Sequence, residues 1–439
     1  MTHAGSTTDY DAVVVGGGPT GATTAGLLAQ AGHRVLVLER ERFPRFHIGE
    51  SMITGMLSVI EQLGLTERLD AMGFERKYGI SLVWGRERGL WSVSFREAGA
   101  YEYSYHVHRD RFDELLLDRA AELGCVVEQE ATVREAIVVD GRVTGVRYTK
   151  DGELREATAR IVVDASGQAR TIARRFTEVD WNGQLRNLAI GRYYTGCKRM
   201  EGDAHGNIMV EKVGNDDGWF WGIPLGESLL SVGYVAPTED IRLEGLDHAE
   251  LFEKKLAQTT YMRDLLAPGT PSSDFRTSRD WSYMSREFYG PGWVTVGDAS
   301  CFIDPLLSSG VCLGMLCAVP LAQAIGIYLK DPGQEERVFS RYAAGSRDFA
   351  EAILDYVLFF YDQQRDREDY FERAAAIANS EVFRSPRKGF VALISGIAGM
   401  GPIFTMEETG TSETGTSEAG VSAADVPSAG EALAAPGGL

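Results

Sequence analysis

The sequence predicts an α/β protein that begins with a Rossmann-type unit, and three features near the N-terminus support this. An apolar run over residues 10–15 is typical of a buried parallel strand. It leads into the loop GGGPTG at residues 16–21, and residues 22–31 then have the composition of a helix. A second apolar strand at residues 34–38 ends in Glu39. This is the GxGxxG pattern in the strand, loop, helix and strand context that dinucleotide binding requires.

The three motif glycines are expected to have separate roles. Gly16 permits the tight turn, Gly18 lets the backbone approach a pyrophosphate, and Gly21 lets helix and strand pack closely. The helix N-terminus is expected to hold the phosphates, and Glu39 to accept a hydrogen bond from a ribose hydroxyl. The unit therefore predicts a dinucleotide site, and later segments must decide which dinucleotide it binds.

Composition restricts the class of protein. A chain of 439 residues that is 44% hydrophobic has ample material for a core. The net charge of −19 argues against a nucleic-acid partner and gives no reason to expect an anionic membrane. No basic stretch followed by an apolar run marks a secretory signal, and the apolar segment 389–404 is too short and glycine-rich to span a bilayer. A cytoplasmic protein with no membrane or nucleic-acid partner is expected.

The cysteines give no indication of a metal site. They form no CxxC pair and no metal-ligand spacing with the seven histidines. Reduced thiols and no bound metal are therefore expected. The five cysteines are Cys125, Cys197, Cys301, Cys312 and Cys317.

Three later segments favour FAD over NAD. Residues 45–51 (RFHIGES) follow the second strand, residues 162–167 (VVDASG) form a strand and turn, and Gly297-Asp298-Ala299 follows the apolar strand 293–296. Together they resemble the FAD-binding pattern of the flavoprotein monooxygenase superfamily. The glutathione-reductase-like FAD domain of that superfamily is assembled from separated segments.

That resemblance implies further cofactor-binding residues. Arg45 and Ser51 are expected at the cofactor, and Asp298 is expected to bond the ribityl chain. Arg109, in the segment VHRDRFD at residues 107–113, is expected to lie beside the flavin.

The stretches between these segments have a different pattern. Residues 78–105 and 186–235 combine many aromatics with strand-like alternation, which predicts an inserted antiparallel sheet that serves as a substrate domain. Helical spacing of apolar residues predicts C-terminal helices, and the acidic repeat TGTSE predicts a disordered tail. The predicted boundaries are FAD-binding segments at 1–77, 106–176 and 286–330, sheet segments at 78–105 and 177–285, a helical region at 331–405 and the tail at 406–439.

Three motifs indicate which family of this superfamily the chain resembles. WFWGIP at residues 219–224 matches W-x-W-x-I-P, FERKYG at 74–79 matches F-x-x-K-x-G, and FIDPLLSSG at 302–310 matches F-x-x-P-x-x-S-x-G. In this order around a flavin fold, they resemble the signature segments of flavin-dependent halogenases. The resemblance extends from about residue 10 to about residue 390 and excludes the tail.

The resemblance implies FAD, as FADH2, and chloride as cofactors. Chloride would be held by backbone N–H groups around Ser308, Ser309 and Gly310, with Pro305 and Gly310 also close to the flavin. Hypochlorous acid would then travel to Lys77, the catalytic residue, which holds it by a hydrogen bond or as a chloramine. Trp219 and Trp221 of the W-x-W-x-I-P motif would line the passage between the flavin and the substrate. On an extended strand, their side chains would point to the same side.

One position departs from the tryptophan halogenases. They carry Glu immediately before the motif serine, where this chain has Leu307. The departure favours a phenol or pyrrole as substrate, either free or tethered to a carrier protein. A phenol needs a base, and the sequence leaves its identity open among Glu97, Glu102, His106 and His108. Because no second GxGxxG loop is present, a separate flavin reductase is expected to supply FADH2.

Two other functions compete with this interpretation. A single-component flavin aromatic hydroxylase of the same superfamily would follow the Gly-Asp pair with Ala-Ala-His and later a P-x-x-G-x-G-x-N run. In that region this chain has Ser300-Cys301-Phe302 and Val311-Cys312-Leu313. A flavin-binding scaffold without turnover would have no use for Lys77. The sequence therefore favours the halogenase.

Overall fold

Two large β-sheets, a two-stranded ribbon and a set of C-terminal helices make up most of the described residues. The computed structural model describes residues 8–214, 217–379 and 381–398. In chain order the strands are β1 (Tyr10–Val15), β2 (Val35–Leu38), β3 (Glu75–Lys77), β4 (Gly79–Val83), β5 (Leu90–Ser94), β6 (Ser104–His106), β7 (Val126–Glu128), β8 (Thr132–Val139), β9 (Arg142–Lys150), β10 (Glu153–Asp164), β11 (Val179–Thr195), β12 (Ile208–Lys212), β13 (Trp219–Pro224), β14 (Leu229–Pro237), β15 (Thr270–Pro271), β16 (Arg276–Ser285), β17 (Tyr289–Gly290), β18 (Trp293–Thr295) and β19 (Cys301–Phe302). The α-helices are α1 (Pro19–Gln30), α2 (Leu57–Gln62), α3 (Thr66–Ala71), α4 (Arg109–Glu122), α5 (Thr238–Glu244), α6 (His248–Leu256), α7 (Tyr261–Leu266), α8 (Gly310–Lys330), α9 (Glu335–Phe360), α10 (Arg367–Ile377) and α11 (Pro386–Ile394).

The first sheet has the predicted Rossmann-type order. Strands β18, β10, β1, β2 and β7 lie side by side and parallel, with Val13 paired to Val162 on one side and Leu36 on the other. Such doubly covered parallel strands are apolar throughout, and β1 and β2 are buried accordingly. Because parallel strands end at the same edge, Val15, Leu38 and Asp164 bring their following loops together.

The second sheet runs in the order β19-β16-β11-β14-β13-β12-β4-β5. Its pairs are antiparallel, as predicted, except that β12 and β4 run parallel, with Ile208 opposite Ile80. These two strands come from the two separate inserted segments, and the long connection between them permits either direction. Phe220, Leu251 and Phe252 belong to the core between this sheet and the helices that follow β14.

A two-stranded ribbon lies beside the second sheet. Strands β3 and β6 pair antiparallel, with Lys77 opposite Ser104 and Glu75 opposite His106. Directly opposed residues in such a pair share a face, as do alternate residues along a strand. Lys77, Ser104 and His106 therefore share one face, and Ser51 forms a β-bridge with His106.

The C-terminal helices are predominantly amphipathic or buried. Helix α8 is long and apolar enough to cross a membrane by length and composition, with a mean hydropathy of 1.9. However, 67% of its apolar window is buried inside the protein, where α8 contacts α1 and α9. We therefore interpret α8 as a core helix. The predicted tail, residues 406–439, lies outside the described residues.

Candidate active site

A cavity of about 710 Å³ lies where the loops of the first sheet meet the second sheet. This volume falls within the range of cofactor pockets, roughly 300–1,000 Å³. Its wall contains most of the residues that the sequence assigns to a cofactor or halide site: Gly16, Gly18, Glu39, Arg45, Ser51, Arg109, Asp298, Pro305, Ser308 and Gly310. Gly21, Lys77 and Ser309 are not among the residues of this wall.

At two positions of the glycine loop, a side chain would collide with neighbouring backbone atoms. Gly16 has a left-handed φ of 105°, and a Cβ there would lie 2.5 Å from the carbonyl oxygen of Ala165. A Cβ on Gly21 would lie 2.0 Å from the carbonyl oxygen of Gly16. Gly18 precedes the first residue of α1, so the helix N-terminus opens on the cavity. This backbone cradle fits the pyrophosphate of FAD.

Glu39 is buried and bonded to the backbone around it. Its Oε2 accepts a hydrogen bond from the Gly17 N–H at 2.7 Å, and Oε1 accepts one from the Glu41 N–H at 2.9 Å. Each carboxylate oxygen can accept more than one hydrogen bond. The expected ribose contact therefore stays compatible with a second role, in which Glu39 holds the glycine loop in place.

Arg45 and Arg109 converge on a carboxylate that the sequence did not single out. Arg45 Nη1 donates to Asp113 Oδ2 at 3.0 Å. Arg109 donates to both oxygens of Asp113 and, through Nη1, to the carbonyl oxygens of Ile48 and Gly49. Asp113 is fully buried. The pairing fixes both arginines in the cavity wall and ties α4 to the segment after β2.

Two acidic residues of the third FAD segment lie at the cavity. Burial raises the pKa of Asp298 to about 6, and the charge of Arg109 opposes this rise. Burial raises the pKa of Asp304 to about 7. The Leu306 N–H, Tyr361 and Asn187 donate hydrogen bonds to its carboxylate, and these bonds oppose the rise. Asp298, Asp304 and Pro305 all line the cavity wall.

The chloride motif forms the start of helix α8. Ser308 has a left-handed φ of 57°, Ser309 is the residue before the helix, and Gly310 is its first residue. The first N–H groups of a helix have no partner within it, so they are available to an anion. Ser308 and Gly310 line the cavity, whereas the Ser309 side chain is buried behind it. Leu307 is buried and supplies no carboxylate.

The two tryptophans of β13 face the cavity together, as predicted. Their ring centroids are 6.4 Å apart, and both rings line the cavity wall. Trp221 lies over two glycines, because a Cβ on Gly233 would be 2.0 Å and a Cβ on Gly191 2.9 Å from its ring. Trp219 donates its indole N–H to Tyr361 at 2.9 Å. The rings are therefore wall residues held by packing and by hydrogen bonds.

Lys77 is buried and does not line the cavity. Its side chain is 0% exposed, and within the described part of the chain Nζ has no hydrogen-bond partner. Nζ is 5.4 Å from the centre of the Phe95 ring. Burial lowers the pKa of Lys77 to about 7, so ammonium and amine forms are both present at neutral pH.

Sequence reasoning missed a second carboxylate network in the cavity wall. Glu50 accepts hydrogen bonds from Tyr193 at 2.8 Å and from Ser231 at 3.0 Å, and Trp221 donates to Ser231. Burial raises the pKa of Glu50. Glu50 stands in the RFHIGES segment, but its partners lie on β11 and β14, so only the fold brings them together.

The candidate bases differ in their positions. Glu97 pairs with Arg387, Glu102 is an exposed partner of Arg96, and His108 bonds the carbonyl oxygen of Leu225. Of the four candidates, His106 alone shares the Lys77 face of the β3–β6 ribbon.

The fold and the cavity are those of a flavin-dependent oxidoreductase, and comparison with known proteins identifies its family. The family model described as tryptophan halogenase matches residues 11–102 and 96–385. The chain is 33% identical over 404 residues to the tryptophan 2-halogenase of Chondromyces crocatus, which covers 89% of this chain and 76% of that protein. It is 28% identical to the 1H-pyrrole-2-carbonyl-[peptidyl-carrier protein] chlorinase of Pseudomonas fluorescens, over 80% and 84% of the two chains.

A solved structure supports the same family. The myxobacterial chondrochloren halogenase, an FAD-dependent halogenase, superposes with a TM-score of 0.78 at 34% identity, over 90% of this chain and 92% of that one. The chain belongs to the flavin-dependent halogenase family. It is therefore an enzyme whose cofactor is FAD, and chloride is the usual halide substrate of such enzymes.

Proposed function

We propose that this enzyme uses FADH2, O2 and chloride to chlorinate an electron-rich phenol or pyrrole, with hypochlorous acid carried from the flavin cavity to Lys77. The observation that carries the proposal is the enclosure of Lys77. A lysine amine with no exposed surface and no hydrogen-bond partner among the described residues is costly to bury. Such a group is expected where chemistry requires it.

The cavity residues would bind the reactants. The glycine loop and the N-terminus of α1 would hold the pyrophosphate, while Asp298 would contact the ribityl chain. Bound FADH2, with O2, supplies the two-electron oxidation that converts chloride to hypochlorous acid. The backbone N–H groups of Ser309 and Gly310 would hold chloride for this step, because helix N-termini favour anions. The Ser308 N–H, expected in the same role, instead donates to the carbonyl oxygen of Pro305 at 3.0 Å. Trp219 and Trp221 would keep the aromatic substrate out of the cavity.

Lys77 would hold the oxidant where bulk water is excluded. Its ammonium form can donate a hydrogen bond to the oxygen of hypochlorous acid, and its amine form can be chlorinated to a chloramine with release of water. In transfer from hypochlorous acid, the O–Cl bond breaks and a C–Cl bond forms. The electron pair of the O–Cl bond stays on oxygen, which leaves as hydroxide. The aromatic ring loses one proton, and the hydroxide gains one proton to become water.

The residue before the motif serines supports the proposed substrate class. Leu307 offers no carboxylate of the kind that tryptophan halogenases place near their indole substrate, which favours a phenol or pyrrole that is activated without it. One relative is named for a pyrrole tethered to a carrier protein, which supports a tethered substrate; a free phenol is the other form that we propose. Flavin-dependent halogenases need a flavin reductase, and we propose a separate one as the partner of this chain.

The test combines the protein with FAD, a flavin reductase, NADH and O2, with and without chloride, in the presence of free and carrier-bound phenols and pyrroles. Mass spectrometry should detect a product with the chlorine isotope pattern that requires chloride and is absent with Lys77→Ala. An oxygenated product that forms equally well without chloride would instead identify an aromatic hydroxylase.

A further inference from the structure

Lys77 shares its enclosure with several polar groups that have no partner. Four buried polar atoms on or beside the β3–β6 ribbon have no hydrogen-bond partner among the described residues: Ser51 Oγ, Lys77 Nζ, Ser104 Oγ and His106 Nδ1. Each of these residues is at most 7% exposed. We call this set the polar enclosure. Because buried polar atoms in folded proteins are nearly always paired, the set indicates a place built for a small polar molecule.

Strand pairing brings the set together. Ser104 is directly opposite Lys77, and His106 is on the same face of the ribbon. Ser51 forms the bridge to His106 and also lines the flavin cavity. The polar enclosure therefore adjoins the cavity at Ser51, on the side from which an oxidant made at the flavin would arrive.

The hydrogen bonds of His106 define which of its nitrogens is free. Nε2 lies 2.9 Å from the carbonyl oxygen of Gly206, and because a carbonyl only accepts, Nε2 carries the hydrogen. Burial, followed by the charge of Lys77, lowers the pKa of His106, so the ring is neutral. Nδ1 is then a buried acceptor with an unused lone pair. His106 lies on the same face of the ribbon as Lys77, whose ammonium form can only donate.

We propose that His106 is a positioning residue for the oxidant, accepting the hydrogen of hypochlorous acid at Nδ1 while Lys77 holds its oxygen. This inference rests on the proposed function. Hypochlorous acid has one hydrogen to donate and lone pairs that accept, so the ammonium of Lys77 alone leaves that hydrogen unpaired. Nδ1 supplies the missing acceptor, and no covalent bond changes in the contact. The pair would keep the oxidant in the enclosure and fix its chlorine toward the substrate.

Two substitutions separate this role from a structural one. His106→Asn places an amide oxygen near the position of Nδ1 and gives up the bond to Gly206. His106→Gln places an amide nitrogen near the position of Nε2, keeps the bond to Gly206 and removes the acceptor from the Nδ1 position. His108→Gln is the matched control, because His108 Nε2 makes the same kind of bond, at 3.0 Å, to the carbonyl oxygen of Leu225.

The experiment measures oxidant retained by the protein, so it needs no aromatic substrate. Each variant turns over with FAD, flavin reductase, NADH, O2 and chloride, is desalted rapidly, and is titrated for active chlorine with a coloured thiol reagent. We expect the half-life of retained active chlorine to fall about tenfold in His106→Gln. A tenfold change corresponds to about the free energy that one hydrogen bond contributes. His106→Asn and His108→Gln should stay within about threefold of the unsubstituted protein.

Several results would overturn the proposal. If Gln retains the oxidant while Asn loses it, His106 serves only to anchor Gly206. If both variants retain it, or both lose it equally, the acceptor at the Nδ1 position is not used. Imidazole ¹⁵N shifts supply an independent check, and an Nδ1–H tautomer would contradict the assignment. Failure of the proposed function is distinguishable, because Lys77→Ala would then retain as much active chlorine as the unsubstituted protein.

Discussion

Arg109 and Asp113 form a two-pronged buried pair one helical turn apart, with Nε to Oδ1 at 2.7 Å and Nη2 to Oδ2 at 2.9 Å. Both side chains are almost fully buried. Parallel N–H donors that meet both carboxylate oxygens are among the strongest polar contacts in proteins. Since Arg45 donates to the same carboxylate, Asp113 holds two arginines of the flavin cavity without lining the cavity itself.

Asp113→Ala is expected to destabilise the protein by about 3–5 kcal/mol, because it leaves two buried guanidinium groups without their carboxylate. It should also weaken FAD binding, since both arginines line the cavity. Urea unfolding and flavin fluorescence titration would measure the two effects. Glu156→Ala, which removes an exposed partner of Arg147, is the control and should change neither. A loss of FAD affinity with unchanged stability would contradict the structural role of Asp113.

Lys77→Met is expected to abolish chlorination and to stabilise the protein by about 1–3 kcal/mol, because it replaces an unpartnered buried amine with an apolar side chain of similar length. Thermal unfolding and the chlorination assay would measure both. Lys255→Met is the matched control: Lys255 is buried too but bonds Glu244 at 2.6 Å, so its loss should bring no gain in stability. A Lys77→Met protein that is less stable than the unsubstituted one would show that Lys77 contributes to folding.

Asp304 is expected to make stability depend on pH. Its pKa is raised from 3.8 to about 7 in the folded protein, so the folded state binds the proton more tightly than the unfolded state. The cost of ionising the buried group is absent below pH 4, grows between pH 4 and 7, and is constant above, at up to about 4 kcal/mol. The unfolding free energy of Asp304→Asn minus that of the unsubstituted protein, without FAD, should rise across this window. A difference that is the same at pH 5 and pH 8 would contradict the shift.

The sequence predicts those parts of the site that local motifs encode. The glycine loop, Asp298 and the start of α8 are each short segments whose backbone conformation depends on nearby residues, and all three line one cavity. The enclosure of Lys77 was not predictable, because it depends on strand register between segments far apart in the chain. Ser104 and Gly206 become its neighbours only after β3 pairs with β6 and the loop before β12 folds over His106. The parallel pairing of β12 with β4 was missed for the same reason.

Gly233→Ala is expected to displace Trp221. The new Cβ would lie 2.0 Å from the ring, closer than any non-bonded contact allows, so the indole must move and overpacking should cost about 1–3 kcal/mol. Gly191→Ala, with 2.9 Å to the same ring, should have a smaller effect of the same kind. Gly183→Ala meets nothing within 4 Å on the same strand as Gly191 and is the control. Because Trp221 lines the cavity and donates to Ser231, FAD affinity and chlorination rate should fall in the order of these distances. Equal activity in all three variants would show that the position of Trp221 does not matter to the reaction.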